Sequence, residues 1–181
     1  MSGSDLRKLG FVGAIASAVF ATSLAGIALS PAAAQLYSPG YEFLEAVKER
    51  DGDTVTEMLN QPGTQVVNTR AIGNGETGLH DVAKRRDAVW VKFLLHRGAN
   101  PNIKDRKGVY PIQISVALGD VDSVEHLIKR GAQVDVADSQ GETPLISSVH
   151  QRNAVLIARL LKEGADPDRN DNSGRSARDY A

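Results

Sequence analysis

A repeat with a period of about 33 residues constrains this chain more than any other feature of its sequence. Gly75, Gly108, Gly141 and Gly174 are evenly spaced and define this period. A second glycine column, in which alanine always follows, and four apolar columns keep the same spacing. They are Gly98, Gly131 and Gly164; Leu79, Ile112 and Leu145; Val91, Val124 and Ile157; Leu94, Leu127 and Leu160; and Leu95, Ile128 and Leu161. A fixed period of this length predicts stacked units that bury their apolar faces against each other.

Each unit contains the signals for two short helices. In residues 141–173, Thr143 can cap a helix that begins at Pro144, where the missing N–H costs nothing. Apolar or small residues at 145, 148 and 149 lie on one face of that helix, and residues 157, 160 and 161 form the stripe of a second helix. Gly164 can end the second helix with a positive φ. The polar run 166–174 then favours a turn that leads to the next unit.

The units resemble ankyrin repeats, which share this period and begin with T-P-L-H-x-A. Here the starts read TGLHDVA (77–83), YPIQISV (110–116) and TPLISSV (143–149). Gly78 replaces the proline of the first start, and only that start keeps the histidine, His80. The resemblance covers about residues 41–181 and implies an all-α solenoid of four stacked helix-turn-helix units with β-turn fingers and a terminal half-repeat. His80 is then expected to hydrogen-bond the turn.

The unit boundaries follow from the columns. The interval from Phe43 to Leu79 is three positions longer than the repeat period, so the first connection, within 61–74, is longer than the others. Ser38 and Pro39 favour a helix start there. We expect an N-terminal capping unit and long loop at 35–74, repeats at 75–107, 108–140 and 141–173, and a capping half-repeat at 174–181.

Residues 1–34 have the three parts of a secretory signal peptide. Arg7 and Lys8 form a basic start, residues 9–29 carry no charge, and small residues precede the expected cleavage between Ala34 and Gln35. An uncleaved membrane anchor is the alternative, because a segment of about 20 residues is long enough to span hydrocarbon. We expect export, with the periplasm as the first choice and an inner-membrane anchor facing the periplasm or secretion as alternatives.

The segment GNGETGLH, residues 73–80, contains the spacing G-x-G-x-x-G of a dinucleotide-binding turn. That turn needs a buried strand before it, and residues 64–70 have only a two-residue apolar run. Gly75 belongs to the periodic glycine column, and Gly78 stands where Pro111 stands in the next unit. The repeat therefore accounts for two of the three glycines and leaves Gly73 open, so nucleotide binding is not favoured.

Other chemistry finds little support in the composition. The formal charge is -1 and cysteine is absent, so the balance does not indicate nucleic acid, disulfides or thiolate ligands. The alternating oxygen ligands of 166–174 lack the glycine and glutamate of a calcium loop, since Asp171 and Ala177 stand at those positions. No zinc or Ser/His/Asp motif is present. We expect no cofactor, no metal, no nucleic acid and no small-molecule substrate.

The resemblance implies a non-catalytic scaffold that binds another protein. Ankyrin contacts usually come from finger tips and first-helix ends on a concave face. Here these positions are Lys84, Arg85, Lys104, Arg106, Lys107, Val109, Tyr110, Ala137, Ser139, Gln140, Glu142, His150 and Gln151. Residues 104–108 (the basic finger) carry positive charge, and residues 137–142 (the acidic finger) are acidic to neutral. We expect a monomer whose protein partner offers an acidic patch; a periplasmic enzyme or a membrane-tethered adaptor are the rival hypotheses.

Overall fold

Eight helices in four consecutive pairs form the framework of residues 38–181, the part of the chain that the computed structural model describes. The pairs are α1 (Pro39–Glu49) with α2 (Gly52–Asn60), α3 (Gly78–Lys84) with α4 (Ala88–His96), α5 (Pro111–Ala117) with α6 (Val121–Lys129), and α7 (Pro144–His150) with α8 (Ala154–Lys162). A one-turn helix, α9 (Ala177–Tyr180), follows. The first connection contains a 3-10 helix, Val66–Asn68. Within these residues there is no β-strand, which confirms the predicted all-α solenoid.

The pairs stack in two layers. The first helices α1, α3, α5 and α7 pack side by side in one layer, where α9 packs against α7. In the other layer, α4 packs against α6 and α6 against α8. No helix in residues 38–181 is long and apolar enough to cross a bilayer. The expected signal peptide or anchor at 1–34, with its cleavage site between Ala34 and Gln35, lies outside the described residues.

Helix caps repeat with the same period as the glycines. Ser38 and Thr143 cap their helices as predicted, with side-chain oxygens that accept hydrogen bonds from Tyr41 and Ile146. The second helices have a cap column of their own, which the sequence patterns had not singled out. Its members, Asp51, Asp87, Asp120 and Asn153, accept hydrogen bonds from backbone N–H groups at 3.0–3.3 Å. The first interval in this column is three positions longer than the two that follow, so the longer first connection shifts the whole N-terminal pair.

The core follows the predicted apolar columns except at one end. Leu94, Leu127 and Leu160 are fully buried, as expected. In the neighbouring column Leu95 is buried, but Leu161 is 43% exposed, so its predicted place in the core is wrong. The reason is positional: α6 covers α4, whereas no further second helix within residues 38–181 covers α8.

Two glycines of the periodic column should respond differently to alanine. Both Gly108 and Gly141 have a positive φ, of 84° and 78°, so alanine is strained at either by about 1–2 kcal/mol. At Gly141 an added Cβ would also lie 2.7 Å from the backbone N of Asn172, whereas no atom lies within 4 Å at Gly108. Overpacking should therefore cost Gly141→Ala about 1–3 kcal/mol more in urea unfolding. Equal losses in the two variants would show that the neighbouring finger does not press on Gly141.

Candidate protein-binding face

The fingers between the helix pairs are closed by a column of aspartates. In each finger one carboxylate oxygen accepts hydrogen bonds from two backbone N–H groups. Asp105 accepts from Lys107 and Val109, Asp138 from Gln140 and Glu142, and Asp171 from Ser173 and Arg175, all at 2.8–3.1 Å. These carboxylates therefore hold the turns, and their recurrence at the period of the repeat was the signal that could have revealed them.

The last finger uses its acidic residues in the same way. Hydrogen bonds from the hydroxyls of Ser173 and Tyr180 hold the pKa of Asp171 well below its usual range. Asp166 accepts a hydrogen bond from the backbone N–H of Asp168 at 2.9 Å. Asp168 forms a salt bridge with Arg178 at 2.7 Å, so both acidic side chains among the oxygens that suggested a calcium loop bind the chain itself. Across residues 38–181 there is no cluster of three or more histidines and carboxylates that could hold a metal ion.

His80 connects two neighbouring repeats. Its ring is fully buried, and its Nδ1 accepts a hydrogen bond from the backbone N–H of Thr77 at 3.1 Å. Because Nδ1 is an acceptor, Nε2 carries the proton and donates to the carbonyl of Val109, 3.1 Å away. Burial lowers the pKa of His80, which favours this neutral form. The expected hydrogen bond of His80 to the turn is therefore present. Its second hydrogen bond goes to Val109, which directly follows the basic finger.

The glycines of GNGETGLH serve the fold. Gly75 has a φ of 74° in the turn before α3. Gly78 lies in the first turn of α3, where an added Cβ would be only 3.3 Å from Cδ1 of Leu94. The preceding segment is the 3-10 helix Val66–Asn68 rather than a strand, and α3 has seven residues. The context of a dinucleotide site is therefore missing here. Gly73 makes no contact that requires a glycine.

Two of the predicted contact residues at the end of α3 are engaged within the chain. Arg85 is partly buried, and its Nη1 donates hydrogen bonds to the carbonyls of Val47 at 2.8 Å and Lys48 at 3.0 Å. It therefore satisfies carbonyls at the C-terminal end of α1. Lys84 forms a salt bridge with Glu76. Both residues lie at the end of α3, in the layer of first helices, and both side chains hold neighbouring segments of the chain together.

The basic finger divides into one engaged and two available cations. Arg106 donates a hydrogen bond from Nη1 to the carbonyl of Gly73 at 3.0 Å. Lys104 and Lys107 are exposed and form no salt bridge within residues 38–181. Arg106 is also exposed, but its guanidinium is held at Gly73, so the two lysines are the cations of the basic finger whose side chains are not held by the chain itself.

Other predicted residues lie on the acidic finger and at the end of α7. Ser139 and Gln140 are exposed, and Ala137 and Glu142 are partly buried. At the end of α7, His150 is exposed. Its Nδ1 lies 3.6 Å from Glu142 Oε1, and its ring meets that of Tyr180 edge to face at 4.5 Å.

Gln151 and Tyr110 are less available than the finger tips. Gln151 donates a hydrogen bond from Nε2 to the carbonyl of Val116 at 3.0 Å, which ties α7 to α5. Tyr110 packs partly buried against the core. Six exposed members of the predicted set have no hydrogen bond from their own side chains to the backbone of another repeat: Lys84, Lys104, Lys107, Ser139, Gln140 and His150. Of these, Lys84 is engaged with Glu76 of its own repeat.

Backbone hydrogen bonds join adjacent fingers at two of the three junctions. The N–H of Arg106 donates to the carbonyl of Asn74 at 2.8 Å. The N–H of Asn172 donates to the carbonyl of Gln140 at 2.9 Å. At the middle junction, between the basic and the acidic finger, the equivalent bond is absent from the described part of the chain. This junction is therefore the open one.

Side-chain length explains the open junction. Arg106, Ser139 and Asn172 occupy one column of the repeat. Arg106 reaches back to the carbonyl of Gly73, and Asn172 reaches back to that of Ser139 through Nδ2 at 3.0 Å. The short side chain of Ser139 makes no such bond to the basic finger. The sequence contained this difference, but only a comparison of the three residues in register would have shown it.

A groove of about 290 Å³ lies at the open junction. Its floor comes from α5 and α7, the acidic finger contributes two carboxylates, and Val109, which follows the basic finger, completes the set, so the groove combines apolar and acidic groups. The lining residues are Val109, Gln113, Ile114, Ala117, Asp138, Glu142, Thr143, Pro144 and Ser147. Of the predicted contact residues, Val109 and Glu142 are in this set. Ile114 and Ala117 were missed, although an apolar residue off the core stripe of a first helix was a usable signal.

These features define a class of protein, a solenoid of stacked helix pairs with a finger-bearing face. A family model described as "Ankyrin repeats (3 copies)" matches residues 43–138 and 79–171, which together cover more than half of the chain. The chain belongs to the ankyrin repeat family. Ankyrin repeats are generally protein–protein interaction modules, and proteins built from them are typically non-catalytic scaffolds.

The chain is also similar to part of a much larger protein. It is 32% identical over 85 residues to Oxysterol-binding protein homolog 1 of Saccharomyces cerevisiae. The match takes in 45% of this chain and 7% of the yeast protein. The chain therefore spans a small fraction of that relative.

Proposed function

We propose that the protein is a monomeric, non-catalytic adaptor that binds another exported protein through its concave first-helix face and its fingers. The observation that carries this proposal is the groove at the open junction, where neighbouring fingers leave apolar side chains accessible. The flanking junctions are closed by backbone hydrogen bonds, so the groove is local to the basic and acidic fingers. The general role of ankyrin repeats in protein recognition supports the same conclusion.

Charge determines how the partner would be oriented. Lys104 and Lys107 present positive charge on the basic finger, which directly precedes Val109 of the groove lining, and Asp138 and Glu142 lie in that lining. We propose that an acidic patch of the partner meets the two lysines while an apolar side chain enters the groove over Ile114. Exposed charges of this kind affect the rate of association more than the final affinity.

A charge-reversal pair tests this orientation. The partner is first captured from the native exported fraction and identified, and its association with the purified chain is then timed. Lys104→Glu with Lys107→Glu should slow association about tenfold at low salt and much less at high salt, because salt screens exposed charges. Arg85 and Arg106 are avoided because they donate to backbone carbonyls.

The matched control reverses two exposed cations elsewhere. Lys162→Glu with Arg169→Glu makes the same change in net charge on α8 and the turn that follows. This variant should associate at nearly the original rate. Equal slowing in both pairs would show that overall charge, and not the basic finger, guides the partner.

A second substitution tests the groove itself. Ser139→Asn places at the open junction the residue that bridges the next junction, where Asn172 bonds to the preceding finger. The variant should keep or raise the melting temperature and weaken partner binding about tenfold, because the groove narrows. Gln140→Asn, at an exposed neighbouring position, should leave binding unchanged. A Ser139→Asn variant that binds with the original affinity would remove the groove from the proposal.

The alternative within the same function is an adaptor tethered to the membrane through residues 9–29. It is favoured by the uncharged length of that segment. The intact mass of the exported protein distinguishes the two forms. Loss of residues 1–34 supports a cleaved periplasmic or secreted adaptor, and a full-length mass supports an inner-membrane anchor that faces the periplasm.

A further inference from the structure

A pocket in the layer of second helices is lined almost entirely by basic side chains. It has a volume of about 230 Å³ and lies between α4 and α6. Its lining residues are Lys92, Leu95, His96, His126, Lys129 and Arg130, and this set is called the basic pocket below. The groove described above lies in the layer of first helices, so the basic pocket has no part in the proposed partner site.

The charges of the basic pocket are mostly uncompensated. Lys92 and Arg130 are exposed and form no salt bridge within residues 38–181. Lys129 pairs with Glu125 at 2.5 Å, and Glu125 also pairs with Arg159 of α8 at 3.1 Å. The carboxylate of Glu125 is thus shared between two cations, and Lys92 and Arg130 have no carboxylate partner within the described residues.

The pKa of His96 reflects the positive charges around it. The pKa of His96 is lowered, chiefly by the charge of Arg130, with smaller effects from burial and from the charges of Lys92 and His126. Repulsion between these groups disfavours the protonated ring. A bound anion would relieve that repulsion and allow His96 to take up a proton.

Helix ends account for only part of this arrangement. His96, His126 and Lys129 lie in the last turns of α4 and α6, where cations interact favourably with the helix dipole. Lys92 lies in the middle of α4, a full turn earlier, so the dipole does not explain its place in the pocket. A ligand bound between Lys92 and Arg130, which come from two different repeats, would account for their placement in one pocket.

We propose that the basic pocket binds a compact, multiply charged oxyanion of the phosphate class. Lysine, arginine and protonated histidine supply N–H donors around one cavity, which is the donor set that phosphate and sulfate groups take. A metal cation is disfavoured although two histidines are present, because it would meet the positive charges of Lys92, Lys129 and Arg130. The volume suits one tetrahedral anion with its immediate substituent.

Sulfate is the sharpest probe because it stays doubly charged across the titration range of histidine. Sulfate is added to the full chain at constant ionic strength while the histidine ring signals are followed by NMR. The signals of His96 and His126 should shift, and that of His150 should not. Binding should be about threefold tighter at about pH 5.5 than at about pH 7.5, because a bound anion and the protonated ring of His96 stabilise each other.

A charge-neutralising pair and its matched control decide the outcome. Lys92→Gln with Arg130→Gln should abolish the sulfate-dependent shifts and leave the melting temperature nearly unchanged. Lys104→Gln with Lys107→Gln removes the same charge from the basic finger and should keep the shifts. If both pairs behave alike, or if chloride at equal ionic strength has the same effect, the response is general screening and the proposal is overturned.

An additional experiment with lipid vesicles identifies the source of the anion. A lipid headgroup is supported as the ligand if the original chain co-sediments with phosphatidylglycerol vesicles and the Lys92→Gln, Arg130→Gln double variant does not. Binding of sulfate and inorganic phosphate without co-sedimentation supports a free anion. Failure of all three probes to bind overturns the proposal.

Discussion

Replacing Leu127 with alanine should lower the free energy of unfolding by about 2–5 kcal/mol. Leu127 is fully buried on α6, the second helix that packs against second helices on both sides. Truncation removes apolar contacts and leaves a cavity. Because helices pack against α6 on both sides, the neighbouring residues cannot move far enough to fill that cavity. Urea unfolding of the purified chain measures the loss.

Leu161→Ala is the control for this experiment. Leu161 belongs to the stripe predicted from the same period, but it is 43% exposed on α8. The same chemical change should there cost less than about 1 kcal/mol. If the two variants lost similar stability, or if Leu127→Ala left the melting temperature unmoved, the register of the stack would be wrong.

Replacing His80 with alanine should cost about 2–4 kcal/mol of the free energy of unfolding. The change strands the N–H of Thr77, and a buried polar group without its partner costs about 1–3 kcal/mol. The carbonyl of Val109 loses one of its two hydrogen bonds and keeps the one from the N–H of Asp105. The substitution also removes a buried connection between two repeats. His150→Ala, at an exposed position, should cost much less. Comparable losses would show that the hydrogen bonds of His80 add little to stability.

His80 should also make stability depend on pH. Its folded pKa is lowered, so the unfolded chain binds a proton at a higher pH than the folded chain does. The stabilisation is therefore complete above the unfolded pKa, about 6.5, and is lost as the pH falls below it. His96 contributes in the same direction, so the informative quantity is a difference. Melting temperatures from about pH 7.5 to about pH 5 should fall less steeply in His80→Gln than in the original chain.

The sequence was sufficient for the helices because their signals are local. Thr143 and Pro144 start a helix through atoms within one turn, and the buried Leu127 column lies on one face of its helix. Leu161 shows the limit of this reasoning. Its pattern is that of a core residue, but burial depends on whether another helix covers it.

The candidate site was harder to predict because it depends on how repeats stack. Lys104 was recognised as an exposed charge, whereas the engagement of Arg85 with carbonyls of α1 requires knowledge of which helix end lies nearby. The groove depends on Ser139 being too short for a bond that its counterparts make. The basic pocket joins Lys92 to Arg130, which belong to different repeats and become neighbours only in the folded stack.

The open junction also has a mechanical consequence. A stack of repeats bends by widening or narrowing the gaps between neighbouring units. Widening the gap at the finger tips on either flank breaks a backbone–backbone hydrogen bond, from Arg106 or Asn172, whereas the tips of the basic and acidic fingers share no such bond. Below the tips, the side chain of Asn102 still joins the two connections through Gly131 and Gln133. The tips of these two fingers can therefore separate without breaking a hydrogen bond between them, so a side chain wedged in the groove would spread the stack there at a smaller cost than at either flank.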